Sequence, residues 1–361
     1  MVFSQCSFKP GKKGKPLKKT PLLKVTEKGL YCEDGDFYVD PWRPVDRAVI
    51  THGHSDHASW GHRHYLCSVN TAPILRIRLQ TTLTIQILPF DEQVDINGIK
   101  VSLHPAGHIL GSAQVRIERG GEVWVVSGDY KTEADRTAEA FEPVRCNTFI
   151  TETTFGLPIY KWIPEAEVFQ DINLWWARNQ EAGKASLIMG YSLGKAQRIL
   201  SGLEAELGPI FVHGSIKRIN EAYLSAGIHL PEAGYTGEVK AGFDYSKAII
   251  VAPPSAQGTP WMRRFGTVST AFASGWMAVR GNRRRRAADR GFVLSDHVDW
   301  PSLLSAVRAT GAERILTTHG YGEEVARYFR EVGFESEALP TRFIGESLDS
   351  STENLDEEAI A

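Results

Sequence analysis

Apolar positions along this chain follow two regimes. From about Lys24 to Thr154 they come in short runs separated by glycine turns, as in NGIKVSLHPAG and GGEVWVVSGD, which predicts successive β-strands. After Gly156 the spacing lengthens into alternating helix and strand. Pro164 opens an amphipathic helix carried by Val168, Ile172, Trp175 and Trp176, and Ser186 to Met189 reads as a buried strand. A helix is expected over Lys195–Leu207, strands at Phe211–Val212 and Ala248–Val251, and a further strand, FVLS, at Phe292. A helix over Trp300–Thr310, the strand RILTTH and a helix over Glu323–Val332 close the pattern. The expected layout is a core interrupted by a long α/β segment and resumed near residue 290. There is no internal repeat and no low-complexity linker.

The polar residues that end the apolar runs carry the chemistry. Ala48, Val49 and Ile50 form a buried strand, and THGHSDH follows it at once with His52, His54, Asp56 and His57. His108 lies in AGHILGSA, Asp129 ends the run Val123–Ser127, and His319 ends RILTTH. On a tight loop His52 and His54 can face one metal while Asp56 and His57 turn towards a neighbour. The Asp129 carboxylate can bridge two cations, which one imidazole nitrogen cannot do. Imidazole and carboxylate without thiolate suit a catalytic zinc site, with manganese or iron as weaker fits. Any one of these residues could be an ordinary buried polar group; seven ending four separate apolar runs are harder to explain that way.

Bulk properties narrow the class. A chain of 361 residues, 42% hydrophobic, is long enough for a large core or two lobes. No apolar stretch has membrane-spanning length and no signal peptide is recognisable, so a cytoplasmic protein without membrane contact is expected. Cys6, Cys32, Cys67 and Cys146 show no CxxC spacing and read as reduced thiols. The net charge of −2 hides a Lys-rich start and an Asp/Glu-rich end, which predict a disordered basic arm over residues 1–21 and a disordered acidic tail over 343–361.

With these motifs in place, the sequence resembles the metallo-β-lactamase superfamily. The resemblance implies an αββα sandwich in which His52, His54 and His108 hold one metal, Asp56, His57 and His319 hold a second, and Asp129 lies between them. Asp40 in FYVDP matches an acidic position that buttresses the ligand loop, although it also reads as a plain strand-end Asp before Pro41. TETTFG (Thr151–Gly156) and SDHVD, containing His297, resemble the acidic and histidine motifs of β-CASP domains. GLYCEDGDFYVDPWRPVDRAVITHGHSDHASWG, GKAQRIL, RGNRRRRAADRGFVLSDHVDW and TTHGYGE are similar to the bacterial DNA-ligase-associated DNA exonuclease family, over roughly residues 22–342. The implied domains are a metallo-β-lactamase core at 22–155 and 291–342, with an α/β β-CASP-like insertion at 156–290. Artemis-type relatives generally carry valine where this chain has His319, and histidine there is commoner among RNA-processing relatives.

What the resemblance implies for function is hydrolysis of phosphodiester bonds at DNA ends by a metal-bound hydroxide, in DNA repair, with two divalent ions, zinc or manganese. Asp56 would orient the nucleophile. His297 would act as general acid, a role worth about 10²–10⁴-fold, and Glu152 would orient an active-site histidine. The alternative for His297 is a helix-entry position, with Ser295 or Asp296 as the N-cap. DNA, and by resemblance a ligase and a helicase of the same repair system, are the expected partners. Ser192, Gly194 and Lys195 fall at a strand-to-helix turn that could take a terminal 5′ phosphate, or could be an ordinary helix start. Arg283, Arg284, Arg285 and Arg286, within an Arg-rich run from Arg280 to Arg290, could grip the backbone or form a solvated loop. Tyr191 and Trp276 could stack on bases or belong to the core. The rival readings are an RNA nuclease on the same scaffold, a small-molecule hydrolase such as a thioesterase or lactamase, and a non-catalytic DNA-binding scaffold.

Overall fold

The computed structural model describes residues 21–79, 82–279, 281 and 288–341. The arginines at 280 and 283–286, the N-terminal lysines before residue 21 and the acidic residues after 341 lie outside the described residues.

Short strands with glycine turns build a first sheet in chain order: β1 (Lys24–Thr26), β2 (Gly29–Cys32), β3 (Phe37–Val39), β4 (Arg47–Val49), β5 (His64–Cys67) and β6 (Ile85–Ile87). Helix α1 (Thr71–Leu79) lies between the last two, packing Ala72 and Leu75 with Ala48, Ile50, Tyr65 and Cys67. A second sheet starts as the antiparallel meander β7 (Gln93–Ile96), β8 (Ile99–Pro105), β9 (Ala113–Arg119) and β10 (Glu122–Val126), and then adds β11 (Thr148–Glu152) in parallel. The two sheets share one apolar cluster, in which Val39, Val49 and Leu66 of the first meet Val101, Val115, Ile117, Val126 and Ile150 of the second.

From Glu165 the chain builds a third sheet before returning. Helix α2 (Glu165–Glu181) precedes β12 (Ala185–Met189), α3 (Lys195–Ser201), β13 (Ile210–Val212), α4 (Gly214–Ser225), β14 (Gly234–Tyr235), β15 (Ile249–Ala252), β16 (Val268–Ala273) and β17 (Arg290–Phe292). All pairings in this sheet are parallel, in the order β14-β13-β15-β12-β16-β17. Such a sheet is covered on both faces, and the fully buried runs Ala185–Met189 and Ile249–Ala252 carry that signature. Its core, with Trp176, Ile188, Ile199 and Ile216, also takes in Ile74 of α1 and Ile109 and Leu110 beside His108. The third sheet's helices therefore abut the ligand loops directly.

Helix α5 (Trp300–Thr310), β18 (Arg314–Thr318), α6 (Gly322–Glu331) and β19 (Glu335–Ala338) complete the described fold. β18 inserts beside β11, with Glu152 opposite Thr318, so the second sheet is assembled from segments on either side of the third. Leu303, Val307, Val325 and Phe329 of the two helices pack with Val125, Phe149 and Ile315 of that sheet; each aliphatic side chain so buried stabilises the fold by about 1.5–3 kcal/mol.

Three expectations need correction. The helix from Lys195 ends at Ser201, and a separate 3₁₀ turn covers Ala205–Leu207. Gly202 is its C-cap, and the position takes glycine because a Cβ there would meet the Phe169 ring at 2.2 Å. Phe292 does not resume the first core: it pairs with Ala273 in the third sheet. The N-cap of α5 is neither Ser295 nor Asp296 but Asp299, whose side chain accepts from the Ser302 amide at 2.9 Å.

Candidate metal centre

Each candidate ligand follows the C-terminal end of a strand or opens the loop beyond it. Residues 51–57 follow β4, His108 lies between β8 and β9, Asp129 follows β10 and His319 follows β18. Gly128, at φ +58, makes the turn that places Asp129 against this loop; a Cβ there would meet Thr51 Cβ at 2.7 Å. His319 sits in the left-handed region at φ +57, which turns its ring back over the sheet end. The structure brings all seven together, in the overlapping groups His52–His54–His108–Asp129, His52–Asp56–His57 and His57–Asp129–His319.

The outer nitrogens of these rings are tied down. His54 Nε2 donates to the Leu193 carbonyl at 3.2 Å, His108 Nδ1 to the Asp296 carbonyl at 2.9 Å and His57 Nδ1 to Asp40 at 2.7 Å. Thr51 Oγ1 donates to Asp40 at 2.7 Å and so accepts from His52 Nδ1 at 3.0 Å. Every partner is an acceptor, which fixes the tautomers and leaves the inner nitrogens as lone-pair donors. His52 Nε2 and His108 Nε2 each lie 3.1 Å from His54 Nδ1, and 3.7 and 3.9 Å from Asp129. His57 Nε2 lies 3.4 Å from Asp129 and 3.7 Å from Asp56, and His319 Nδ1 4.0 Å from Asp129.

Three inward atoms, His57 Nε2, Asp129 Oδ1 and His319 Nδ1, are buried with no hydrogen-bond partner. An unsatisfied buried polar atom costs about 1–3 kcal/mol, and three converging around one carboxylate form a set that cations would satisfy. The residues thus fit two divalent ions of the nitrogen- and oxygen-preferring class. Burial, reinforced by neighbouring imidazoles, holds His52 and His108 well below the ordinary histidine pKa, in the neutral form a ligand needs. Burial also lowers His319. For His57 burial acts the same way but is outweighed by Asp129, Asp56 and Asp40, so its pKa rises. Asp129 is held far below the carboxylate range because His57, His297 and His52 outweigh its burial.

Beside this cluster, His297 Nδ1 meets both oxygens of Glu152, at 2.9 and 3.1 Å, and lies 3.9 Å from Asp129. Glu152 is fully buried and also accepts from the Tyr130 amide at 2.8 Å. Asp40, Glu152 and His297 therefore all touch the cluster or its supports.

The proposed phosphate grip is not what the structure shows. Lys195 is fully buried, with Nζ 2.8 Å from Asp296 and donating to the Leu294 carbonyl at 3.0 Å. Ser192 Oγ is hydrogen-bonded to Ser215 Oγ at 2.8 Å, and the Gly194 amide donates to Gln197 Oε1 at 2.8 Å. These groups support the start of α3 and are already committed. Arg290 reaches Asp171 of α2 at 3.2 Å. Trp276 is half-buried against Phe155, ring centroids 4.8 Å apart, and Tyr191 is half-buried too.

Sequence reasoning missed Arg78 of α1, whose guanidinium donates to the carbonyls of Gly53 at 2.6 Å and Ala58 at 3.2 Å, pinning the ligand loop at both ends. It also missed Thr51, Ser112, which accepts from the His108 amide at 3.0 Å, and Trp162, which donates to the His297 carbonyl at 2.8 Å. Only Thr51, next to His52, carried any local signal.

No family model matches the chain. A protein of Opitutus terrae described as a probable DNA ligase is 34% identical over 316 residues, 86% of this chain but 30% of that protein. The chain thus spans under a third of that relative's length. It is a relative of the DNA-ligase-associated β-CASP nucleases. The chain is also similar to the Yarrowia lipolytica endoribonuclease YSH1, 31% identical over 118 residues (32% of this chain, 14% of that one). The Arabidopsis thaliana DNA cross-link repair protein SNM1 is 29% identical over 186 residues (48% and 38%). A solved structure of an Enterococcus faecalis protein of unknown function shares the fold, with TM-score 0.55 and 11% identity over 82% of this chain and 80% of that one. The three sheets and the helices between them make this a mixed α/β protein. No helix among the described residues is long and apolar enough to cross a membrane.

Proposed function

We propose that this chain is a metal-dependent nuclease that removes nucleotides from DNA ends. The observation that carries the reading is the ring of inward lone pairs around Asp129, with the His297–Glu152 pair at its side. In this reading residues 22–155 and the segment after Phe292 form an αββα metallo-β-lactamase core, and the segment from 156 through Phe292, which closes the third sheet, is a β-CASP-like insertion. His52, His54 and His108 with Asp129 hold one cation, and Asp56, His57 and His319 with Asp129 a second; zinc suits the donors best, with manganese next. Bound ions of this kind neutralise a phosphodiester and ionise a water near neutral pH. The chain's own part is to orient and to move protons. Asp56, half-buried beside His57, orients the attacking water. His297, its Nδ1 held by Glu152, passes a proton to the leaving oxygen.

DNA as substrate is supported by the names of the Opitutus and Arabidopsis relatives, and a DNA ligase as partner by the former. RNA is the second reading, favoured by the endoribonuclease relative and by the presence of His319. End-labelled single- and double-stranded DNA and sequence-matched RNA, incubated with a metal series, separate the two. Progressive shortening of DNA with zinc or manganese is expected. Cleavage of RNA alone would replace the DNA reading, and no cleavage with any metal would end both.

A further inference from the structure

Two basic side chains of α3 converge on a segment that the proposed chemistry leaves unexplained. Lys195 Nζ donates to the Leu294 carbonyl and pairs with Asp296 Oδ2 at 2.8 Å. Arg198 donates to the Ser295 carbonyl and pairs with Asp296 Oδ1 at 2.9 Å. Two consecutive carbonyls and both oxygens of one carboxylate are thus held by two cations about one turn apart on a single helical face, at positions i and i+3. The Lys195, Arg198 and Asp296 side chains are all at least 94% buried. Arg198 is braced in turn by Asp135 at 2.9 Å and by Glu165 of α2.

The opposite side of the same segment faces the metal centre. The backbone carbonyl of Asp296 receives the proton of His108 Nδ1 at 2.9 Å, and the next residue is His297. The His297 amide is fixed on Ser295 Oγ at 3.1 Å. A carbonyl can only accept, so its position decides which nitrogen of His108 carries hydrogen and which is free to bind a cation. A shift of this segment would move the acceptor of one ligand and the backbone of the candidate acid together.

We infer that Lys195 and Arg198 are positioning residues of the metal centre: by clamping residues 294–296 they hold His108 in its Nε2-ligating tautomer and set His297 beside Glu152. The inference rests on the metal-site reading above and deepens it. It also explains why two full cations are buried on a helix that faces the ligand loops. Burying charge is costly, and the arrangement persists only because each charge is paired and hydrogen-bonded.

The test uses the full chain and zinc alone, with a chromophoric chelator as competitor. Lys195→Met should weaken zinc binding about 10–100-fold, the usual cost of losing support behind a ligand, and Lys195→Arg should restore much of it. The double variant Lys195→Met/Asp296→Asn removes the unpaired buried carboxylate while Arg198 keeps Asp135 and Glu165. It should recover stability but keep the weakened zinc affinity, and it remains informative if Lys195→Met alone does not fold. Asn179→Ala breaks an equally buried hydrogen bond to Ser186, away from the centre, and should lower stability without touching affinity. Zinc affinity that follows stability across all four variants, or wild-type affinity in the double variant, would overturn the positioning role. Absence of zinc binding by the wild type would instead remove the metal-site reading itself.

Discussion

The Nδ1 atom of His297 lies 2.9 Å from a carboxylate oxygen of Glu152, a residue 145 positions earlier and fully buried. The carboxylate accepts, so that nitrogen carries a proton, and the ring's orientation is set by a group with no exposure to water. His297→Ala should therefore leave metal content unchanged while turnover falls about 10²–10⁴-fold, the range for a lost general acid. Metal analysis alongside single-turnover kinetics checks this. Loss of metal in that variant would make His297 a ligand.

Asp129 is the residue shared by both proposed sites. Asp129→Ala should abolish nearly all activity and reduce the bound metal below two ions per chain, with the circular dichroism of the folded protein largely kept. Two ions retained at saturation, with activity, would rule out the bridging role.

Asp40 takes three hydrogen bonds, from the Thr51 amide at 2.8 Å, Thr51 Oγ1 at 2.7 Å and His57 Nδ1 at 2.7 Å. Its backbone is left-handed, at φ +43, a conformation asparagine also tolerates. Asp40→Asn should thus fold but hold His57 less firmly, lowering metal affinity about 10–100-fold. Unchanged affinity by chelator competition would reduce Asp40 to a strand-end residue.

His62 provides a pH signature away from the metal. Its Nδ1 accepts from the Val45 amide, and burial pulls its pKa down to about 4. The unfolded chain, with a histidine near 6.5, binds more protons between those values, so stability rises with pH across about 4 to 6.5 and is lost on acidification. The contribution lost by pH 5 is about 2 kcal/mol. Urea unfolding of metal-free protein at pH 7 and pH 5 should show this loss in the wild type and a smaller one in His62→Gln; equal losses would contradict it.

Gly194 adopts φ +84, ψ −71, and a Cβ there would lie 2.3 Å from Ile109 Cγ2, next to His108. Gly194→Ala should cost about 1–3 kcal/mol or more through strain and overpacking, read as a lowered melting temperature. A selective loss on 5′-phosphorylated DNA with stability unchanged would return this turn to end recognition.

The convergence of the candidate ligands was legible because each is a polar residue placed where an apolar run stops, and strand ends put such residues on a common edge of the sheets. The extent of the helix over Trp300–Thr310 was legible from its apolar spacing, but its cap was not: Asp299, rather than Ser295 or Asp296, accepts from the Ser302 amide. The role of Lys195 stayed open between two readings because a lysine at a helix start looks the same whether it meets a phosphate or a buried carboxylate, and Asp296, with which it pairs, is about a hundred residues away. Arg78 left no trace for a similar reason: its partners are backbone carbonyls of Gly53 and Ala58, which no sequence pattern reports. Phe292 was assigned to the wrong sheet because a three-residue strand carries no information about its neighbours.

The pairing of β11 with β18, Glu152 opposite Thr318, has a consequence for biosynthesis. At about 5–20 residues per second, on the order of ten seconds separate the emergence of the two strands from the ribosome. During that interval β11, buried at every residue in the finished fold, keeps an open apolar edge of the kind that invites wrong partners. The third sheet, contiguous in sequence, has that time to form. The nascent chain meanwhile already carries His52, His54, His108 and Asp129, every residue of the first proposed cation site, before His319 of the second has been translated.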